Sequence, residues 1–176
     1  YSLQNLDMDK RVLYLGTFSR VIFPSLRLGY LVVPDHLVDA FKLAKRFCDG
    51  ATSILSQVAL ATFFEQGLFD RHLRQMKKLY AKRRQFLINE IETKLSSYLR
   101  VVKSDGGLHV CTYLIKEISD VTLSNSLIKE GVNIRPLSLF YHQENAKNGL
   151  IIGFAGYDET QIKVGVSLVL KKIKTM

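Results

Sequence analysis

The feature that most constrains the fold is a stretch of 28 residues, Leu68 to Leu95, that contains neither glycine nor proline. Apolar side chains recur along one side of it at helical spacing, at Leu73, Met76, Tyr80, Leu87 and Ile91. The pattern predicts a single helix of roughly 40 Å, at about 1.5 Å per residue. A helix of that length can connect two domains, so we expect separate folded segments before and after it.

Two short strands and two helices are predicted before the long helix. The strands are Val12–Leu15 and Leu28–Val33, which are apolar runs bounded by turn residues. Asp35 and Ser53 are expected to cap the two helices, since each has an N-cap side chain just before a run of helical periodicity.

The sequence pattern after the long helix is typical of a compact α+β unit. Four strands are predicted there: Leu99–Val102, Leu108–Leu114, Val132–Arg135 and Leu150–Ala155. A hairpin-like turn is expected at Asp105-Gly106-Gly107, and a loop over residues 139–149. Helices are predicted over Val121–Lys129 and from Asp158 through Ile173.

Composition is that of a soluble globular protein, with 47% hydrophobic and 23% charged residues. No apolar run approaches the roughly 20 residues of a membrane-spanning helix. Cys48 and Cys111 lie far apart without metal-ligand spacing, so we expect them to be reduced and buried in a cytoplasmic protein. No metal site is expected from the scattered histidines.

The net charge of +9 is concentrated in the long helix, where seven lysines and arginines fall between Arg71 and Arg84. Such a run forms either a solvated helix face or a patch that attracts nucleic acid. The solvated face is favoured, because no DNA-reading motif or basic-aromatic platform accompanies the run.

Residues suited to phosphate binding lie between the first two predicted strands. Thr17, Ser19, Arg20 and Arg27 supply hydroxyl and guanidinium donors in a turn, and a guanidinium makes bidentate bonds to phosphate. Two other interpretations stay open: Arg27 in a structural salt bridge, and Thr17 and Ser19 as turn or cap residues.

Five segments, in this order and spacing, give the chain a resemblance to a known family. They are Tyr14–Ser19, Pro24–Tyr30, Gly106–Val110, Arg135–Ser138 and Gly149–Gly156. The chain resembles the C-terminal part of the aminotransferase-like domain of MocR-type regulators, which are GntR-family transcription factors. The resemblance implies an α/β protein, the C-terminal part of fold type I of the pyridoxal 5'-phosphate (PLP) dependent transferases. It divides the chain into the end of the large PLP-binding domain (1–67), a long connecting helix (68–97) and a small α+β domain (98–176).

The resemblance also implies roles for individual residues. Thr17, Ser19 and Arg27 correspond to residues that hold the PLP phosphate, and Arg20 stands where the family has its Schiff-base lysine. A guanidinium stays protonated and cannot act as that nucleophile. Ile151 stands near the position of the arginine that binds a substrate carboxylate, and Arg135 is a weak substitute candidate. The rest of the cofactor cradle is expected upstream of this chain.

The function implied is that of a PLP-binding, effector-sensing domain of a transcriptional regulator. The domain is expected to be catalytically inactive, because Arg20 replaces the Schiff-base lysine. The alternatives are part of a PLP-dependent aminotransferase and a non-catalytic dimerisation fragment. PLP is the cofactor expected in the parent, with weak or no binding by this chain alone. The expected partners are a second copy, an amino-compound effector or substrate, and DNA only through an upstream domain; no membrane is expected.

Overall fold

The first unit of the chain, Tyr1–Arg74, is built on a two-stranded antiparallel sheet. The structure is a computed structural model that describes residues 2–104, 106–142 and 146–176. A short helix, α1 (Leu3–Leu6), precedes strands β1 (Tyr14–Thr17) and β2 (Gly29–Val32). Helices α2 (Val38–Cys48) and α3 (Ile54–Glu65) follow, so every predicted element of this segment is present.

The start of β1 and the cap of α2 differ from the sequence prediction. The first strand begins two residues late, because the Asp7 carboxylate accepts hydrogen bonds from the backbone N–H groups of Arg11 and Val12 and holds them in a turn. Asp35 does not cap α2: its carboxylate lies 2.9 Å from Lys10 Nζ, and α2 begins at Val38 without a side-chain cap. Ser53 does cap α3, accepting a hydrogen bond from the Ser56 amide.

Little apolar surface is fully buried in this unit. Within its described residues Leu28, at 5% exposure, is the one hydrophobic side chain that is buried.

Cys48 is exposed, which corrects the prediction of a buried thiol; it lies at the last turn of α2, a helix with no buried residue. Cys111 is half-buried, and both cysteines are free.

The long helix, α4, is confirmed as one unbroken element over Leu68–Lys94. The boundary between the two compact units falls within it, after Arg74. Its buried side chains, Leu87, Ile88 and Ile91, all belong to its C-terminal half. No helix in the described part of the chain is long and apolar enough to cross a membrane.

The second unit, Gln75–Met176, is a four-stranded antiparallel sheet packed with helices. Its strands are β3 (Leu99–Val101), β4 (His109–Leu114), β5 (Arg135–Pro136) and β6 (Gly149–Gly153), in the order β3-β4-β6-β5. Its other helices are α5 (Asp120–Ile128) and α6 (Glu159–Lys174). The core is one continuous apolar cluster that includes Ile91, Leu123, Leu150, Phe154 and Val169.

The third predicted strand of this unit is shorter than expected. Val132 donates its N–H to the Leu127 carbonyl at 3.0 Å, so it closes the end of α5 instead of joining the sheet. Pairing begins only at Arg135, opposite Ile151. Asp105 of the predicted turn, and residues 143–145 of the predicted loop, lie outside the described residues.

Candidate functional site

The loop between β1 and β2 brings the predicted phosphate ligands to one end of the strand pair. The Phe18 amide donates to the Leu28 carbonyl at 3.0 Å and closes the base of the loop. At the same place Thr17 Oγ1 donates to the Leu28 carbonyl at 3.5 Å and accepts from the Ser19 amide at 3.2 Å. Thr17 therefore lies beside Leu28, the residue between Arg27 and β2, and Ser19 lies beside Thr17.

The rest of the loop is held by its own backbone and by one histidine. The amides of Val21 and Ile22 donate to the Phe18 carbonyl at 3.0 and 2.9 Å, which forms a helical turn around Arg20. His72 Nε2 lies 2.9 Å from the Val21 carbonyl and donates to it, since a carbonyl can only accept. His72 thus has a structural role in holding the loop.

Both arginines of the loop are exposed to solvent. Arg27 has φ +50 and ψ 34, the left-handed conformation that few residues other than glycine adopt. Neither Arg20 nor Arg27 forms a salt bridge within the described residues, so no structural ion pair accounts for Arg27 there. Backbone strain at an exposed cation is a feature that recurs at ligand sites.

Behind the loop, tight strand contact and aromatic packing fix its position. A Cβ added to Gly29 would lie 2.8 Å from the Gly16 carbonyl oxygen, so only glycine allows β2 to approach this closely. The Phe18 ring packs against Tyr30 and Phe64, with ring centroids 5.3 and 5.7 Å away. A hydrogen bond with Tyr14 raises the pKa of Tyr30 above its ordinary value.

The loop's chemistry suits a phosphate group. Residues 12–34 contain no aspartate or glutamate, so no carboxylate of that segment competes for the two guanidinium groups. Hydroxyl and guanidinium donors together fit a dianion, because charge-assisted hydrogen bonds are stronger than neutral ones. The residues present therefore fit the phosphate of PLP, and they offer no amine at residue 20.

In the second unit, the sheet register brings Arg135 beside Ile151. The two residues are directly paired across β5 and β6, and Arg135 is exposed. Because side chains of directly paired residues point to the same face, the Arg135 guanidinium shares the sheet face of Ile151. The sequence alone suggested Arg135 as a substitute for the carboxylate-binding arginine, but it could not show that Arg135 lies next to Ile151 in the sheet.

Asp120, which sequence reasoning missed, holds one of the motif segments in place. Its carboxylate is 1% exposed and accepts hydrogen bonds from the Ser138 amide at 2.8 Å and the Ser138 hydroxyl at 2.7 Å. It also accepts from the Gly149 amide at 3.1 Å. The Arg135–Ser138 segment is thereby tied to the start of β6. An acidic residue in the first turn of a helix was the only signal, and that signal also fits simple helix capping.

Comparison with known proteins agrees with the fold and with the resemblance. The family model "Aminotransferase class I and II" matches residues 1–169. The probable rhizopine catabolism regulatory protein MocR of Rhizobium meliloti is 35% identical over 94% of this chain and 34% of its own length. The uncharacterized HTH-type transcriptional regulator YhdI of Bacillus subtilis is 33% identical over 99% of this chain and 36% of its own length.

A solved structure extends the match to three dimensions. The Pyrococcus horikoshii kynurenine aminotransferase superposes with a TM-score of 0.87 at 28% identity, covering 98% of this chain and 43% of that one. The predicted fold is confirmed. The chain spans about a third of the length of the curated relatives above, and on this match it belongs to the class I and II aminotransferase family.

Proposed function

We propose that this chain is the C-terminal part of a PLP-binding, effector-sensing domain in a MocR-type transcriptional regulator. The observation that carries the proposal is the acid-free β1–β2 loop. It holds the hydroxyls of Thr17 and Ser19 and the guanidinium groups of Arg20 and Arg27; in this proposal they take the family's phosphate positions, and Arg20 takes the place of its lysine. The similarity to MocR and YhdI, both named as regulators, supports the regulatory context.

In this proposal Thr17, Ser19 and Arg27 bind the phosphate of PLP, and Arg20 assists as a second cation. The cofactor, when bound, supplies an electrophilic carbonyl that reacts with amines. The chain's own contribution is to hold the phosphate and to orient the ring through the fixed loop. Arg20 keeps its proton and donates hydrogen bonds only, so it does not bond covalently to the cofactor.

The proposal is tested by titrating the chain with PLP and following the cofactor's absorbance. We expect weak binding that inorganic phosphate displaces, since the phosphate group is the part recognised. Arg27→Gln should weaken binding about tenfold or more, because a charge-assisted bond to a dianion contributes about 1.5–3 kcal/mol. Arg46→Gln, an exposed arginine on α2, is the matched control and should bind as the unmodified chain does. Equal binding by the Arg27 variant would contradict the assignment.

A second experiment asks whether the chain bonds covalently to PLP. We expect no adduct at residue 20 after borohydride reduction and peptide mapping. Arg20→Lys in a full-length parent should create an adduct at that residue. A reduced adduct at one specific lysine of the unmodified chain, with turnover of an amino acid, would show that the catalytic position lies elsewhere.

That outcome would favour the second candidate function, an aminotransferase. Aromatic-amino-acid aminotransferase 1 of Thermococcus litoralis is 27% identical over 96% of this chain, and this match favours an enzyme. Amino-acid turnover by the full-length parent separates the two candidates. For the regulator we further propose a cytoplasmic homo-oligomer that responds to an amino compound and reaches DNA through a domain outside this chain.

A further inference from the structure

The densest positive charge in the chain lies on α4. Residues 71–89 contain seven lysines and arginines and no aspartate or glutamate. The seven are Arg71, Arg74, Lys77, Lys78, Lys82, Arg83 and Arg84. An ordinary solvated helix face mixes both signs of charge along its length, whereas the acidic residues of α4, Asp70 and Glu90 among them, lie before and after this run.

The structure divides these cations by what they contact. The guanidinium groups of Arg83 and Arg84 donate to the carbonyls of Ala155 and Ser104, so both are tied to the second unit's own backbone. The ammonium group of Lys82 lies 2.8 Å from the carboxylate of Glu159. These three cations have structural partners.

The other four cations form what we call the basic face: Arg71, Arg74, Lys77 and Lys78. All four are exposed, and none forms a salt bridge in the part of the chain that the structure describes. At 3.6 residues per turn they fall within an arc of about 120° and along about 10 Å of the helix axis. They therefore form a narrow cationic stripe along one helix.

The stripe is unfavourable for the helix that carries it. Cations three and four residues apart repel one another, as Arg71 and Arg74 or Arg74 and Lys78 do. Arg71 also lies in the first turn, near the positive end of the helix dipole, and the acidic Asp70 of that turn offsets part of the repulsion at Arg74, four residues on. An anionic surface laid along the stripe would neutralise this repulsion and release its own counterions.

We propose that the basic face binds the phosphate backbone of duplex DNA without reading its sequence. The inference rests on the proposed function, because a regulator operates on DNA and its effector domain is then held close to the duplex. Lysine and arginine are the side chains that neutralise phosphates, and a straight stripe of them matches a linear array of charge. The sequence alone favoured a solvated helix face for these residues. In the proposal they instead make a second contact with DNA, which adds affinity but no sequence specificity.

The test measures binding of the chain to a short labelled duplex of arbitrary sequence, by fluorescence anisotropy at several salt concentrations and without PLP. Four phosphate contacts predict a slope of log K against log salt of about −3.6, so a fourfold rise in salt lowers affinity about 150-fold. Replacing all four residues of the basic face by glutamine should remove most of that slope.

A charge-matched control variant distinguishes the effect of the basic face from the effect of the chain's net positive charge. It replaces four exposed lysines on or beside α5 and α6 by glutamine: Lys129, Lys163, Lys171 and Lys174. We expect its slope to change by less than about one contact's worth, roughly 0.9. Far-ultraviolet circular dichroism of both variants checks that the helices are intact.

Three results would overturn the inference. These are an equal loss in the control variant, unchanged binding in the basic-face variant, and tight binding to phosphatidylserine-containing vesicles with none to the duplex. Because PLP is absent from this assay, the two proposals fail separately. If the unmodified chain binds PLP but not the duplex, the basic face alone is refuted; if it binds the duplex but not PLP, the cofactor site alone is refuted.

Discussion

Removing the Asp120 carboxylate should destabilise the second unit strongly. The side chain is 1% exposed and accepts three hydrogen bonds, two from backbone amides and one from a hydroxyl. Asp120→Ala leaves the amides of Ser138 and Gly149 without that acceptor. Each unsatisfied buried donor costs about 1–3 kcal/mol, so we expect a loss of about 4 kcal/mol. That is a large part of the roughly 5–15 kcal/mol that stabilises a typical domain.

Asp120→Asn gives an intermediate case. The amide oxygen can accept from both backbone amides and its NH2 group can donate to the Ser138 hydroxyl oxygen, so only the charge is removed and about 1 kcal/mol should be lost. Glu117→Ala is the control: Glu117 is exposed and makes no side-chain hydrogen bond in the described part of the chain. A surface change of that kind stays within about 0.5 kcal/mol.

Urea unfolding followed by circular dichroism measures these differences, and an unchanged slope against urea shows that the unfolded state is unaffected. Hydrogen exchange gives an independent reading, since the amides of Ser138 and Gly149 should exchange faster in Asp120→Ala. A loss below about 1 kcal/mol, the low end for one unsatisfied donor, would refute the reasoning. It would mean that water or a shifted backbone replaces the carboxylate.

Three further predictions concern other parts of the molecule. Gly149→Ala would put a Cβ into the Thr112 carbonyl oxygen, so thermal unfolding should reveal a loss of about 3 kcal/mol from overpacking; an unchanged melting temperature would contradict this. A hydrogen bond from Lys172 lowers the pKa of Glu130, so its stabilisation is present above the ordinary glutamate pKa and disappears as pH falls through the lowered one. Glu130→Gln should therefore flatten the acid limb of stability against pH, and an unaltered limb would count against the pair. Phe47 is 80% exposed, and such exposed apolar surface predicts self-association by light scattering that Phe47→Asp reduces; a monodisperse monomer of the unmodified chain at high concentration would disprove it.

Elements encoded by neighbouring residues could be predicted from the sequence. The long helix needed only apolar periodicity and the absence of glycine and proline, and it is found over Leu68–Lys94. The last helix opens with Asp158 as predicted, and Asp158 caps it through a reciprocal pair of hydrogen bonds with Gln161. Caps and periodicity depend on residues three or four apart, so the sequence carries that information directly.

The composition of the candidate site was also visible in the sequence, but its geometry was not. That Thr17, Ser19, Arg20 and Arg27 share one loop follows from the turn between two apolar runs. His72 anchors that loop by a hydrogen bond to Val21, 51 positions earlier, and no local sequence pattern indicates this contact. The pairing of Arg135 with Ile151 likewise depends on strand register.

Tertiary structure alone decided which charged residues are engaged and which are available. Asp35 looked like a helix cap but pairs with Lys10, 25 residues earlier. Arg83 and Arg84 looked like their neighbours in the basic run, yet both donate to distant backbone carbonyls. A side chain's partner is whatever polar group the fold brings within about 3 Å of it. The sequence therefore determined where charge is concentrated, and the packing of distant segments determined which of those charges remain exposed.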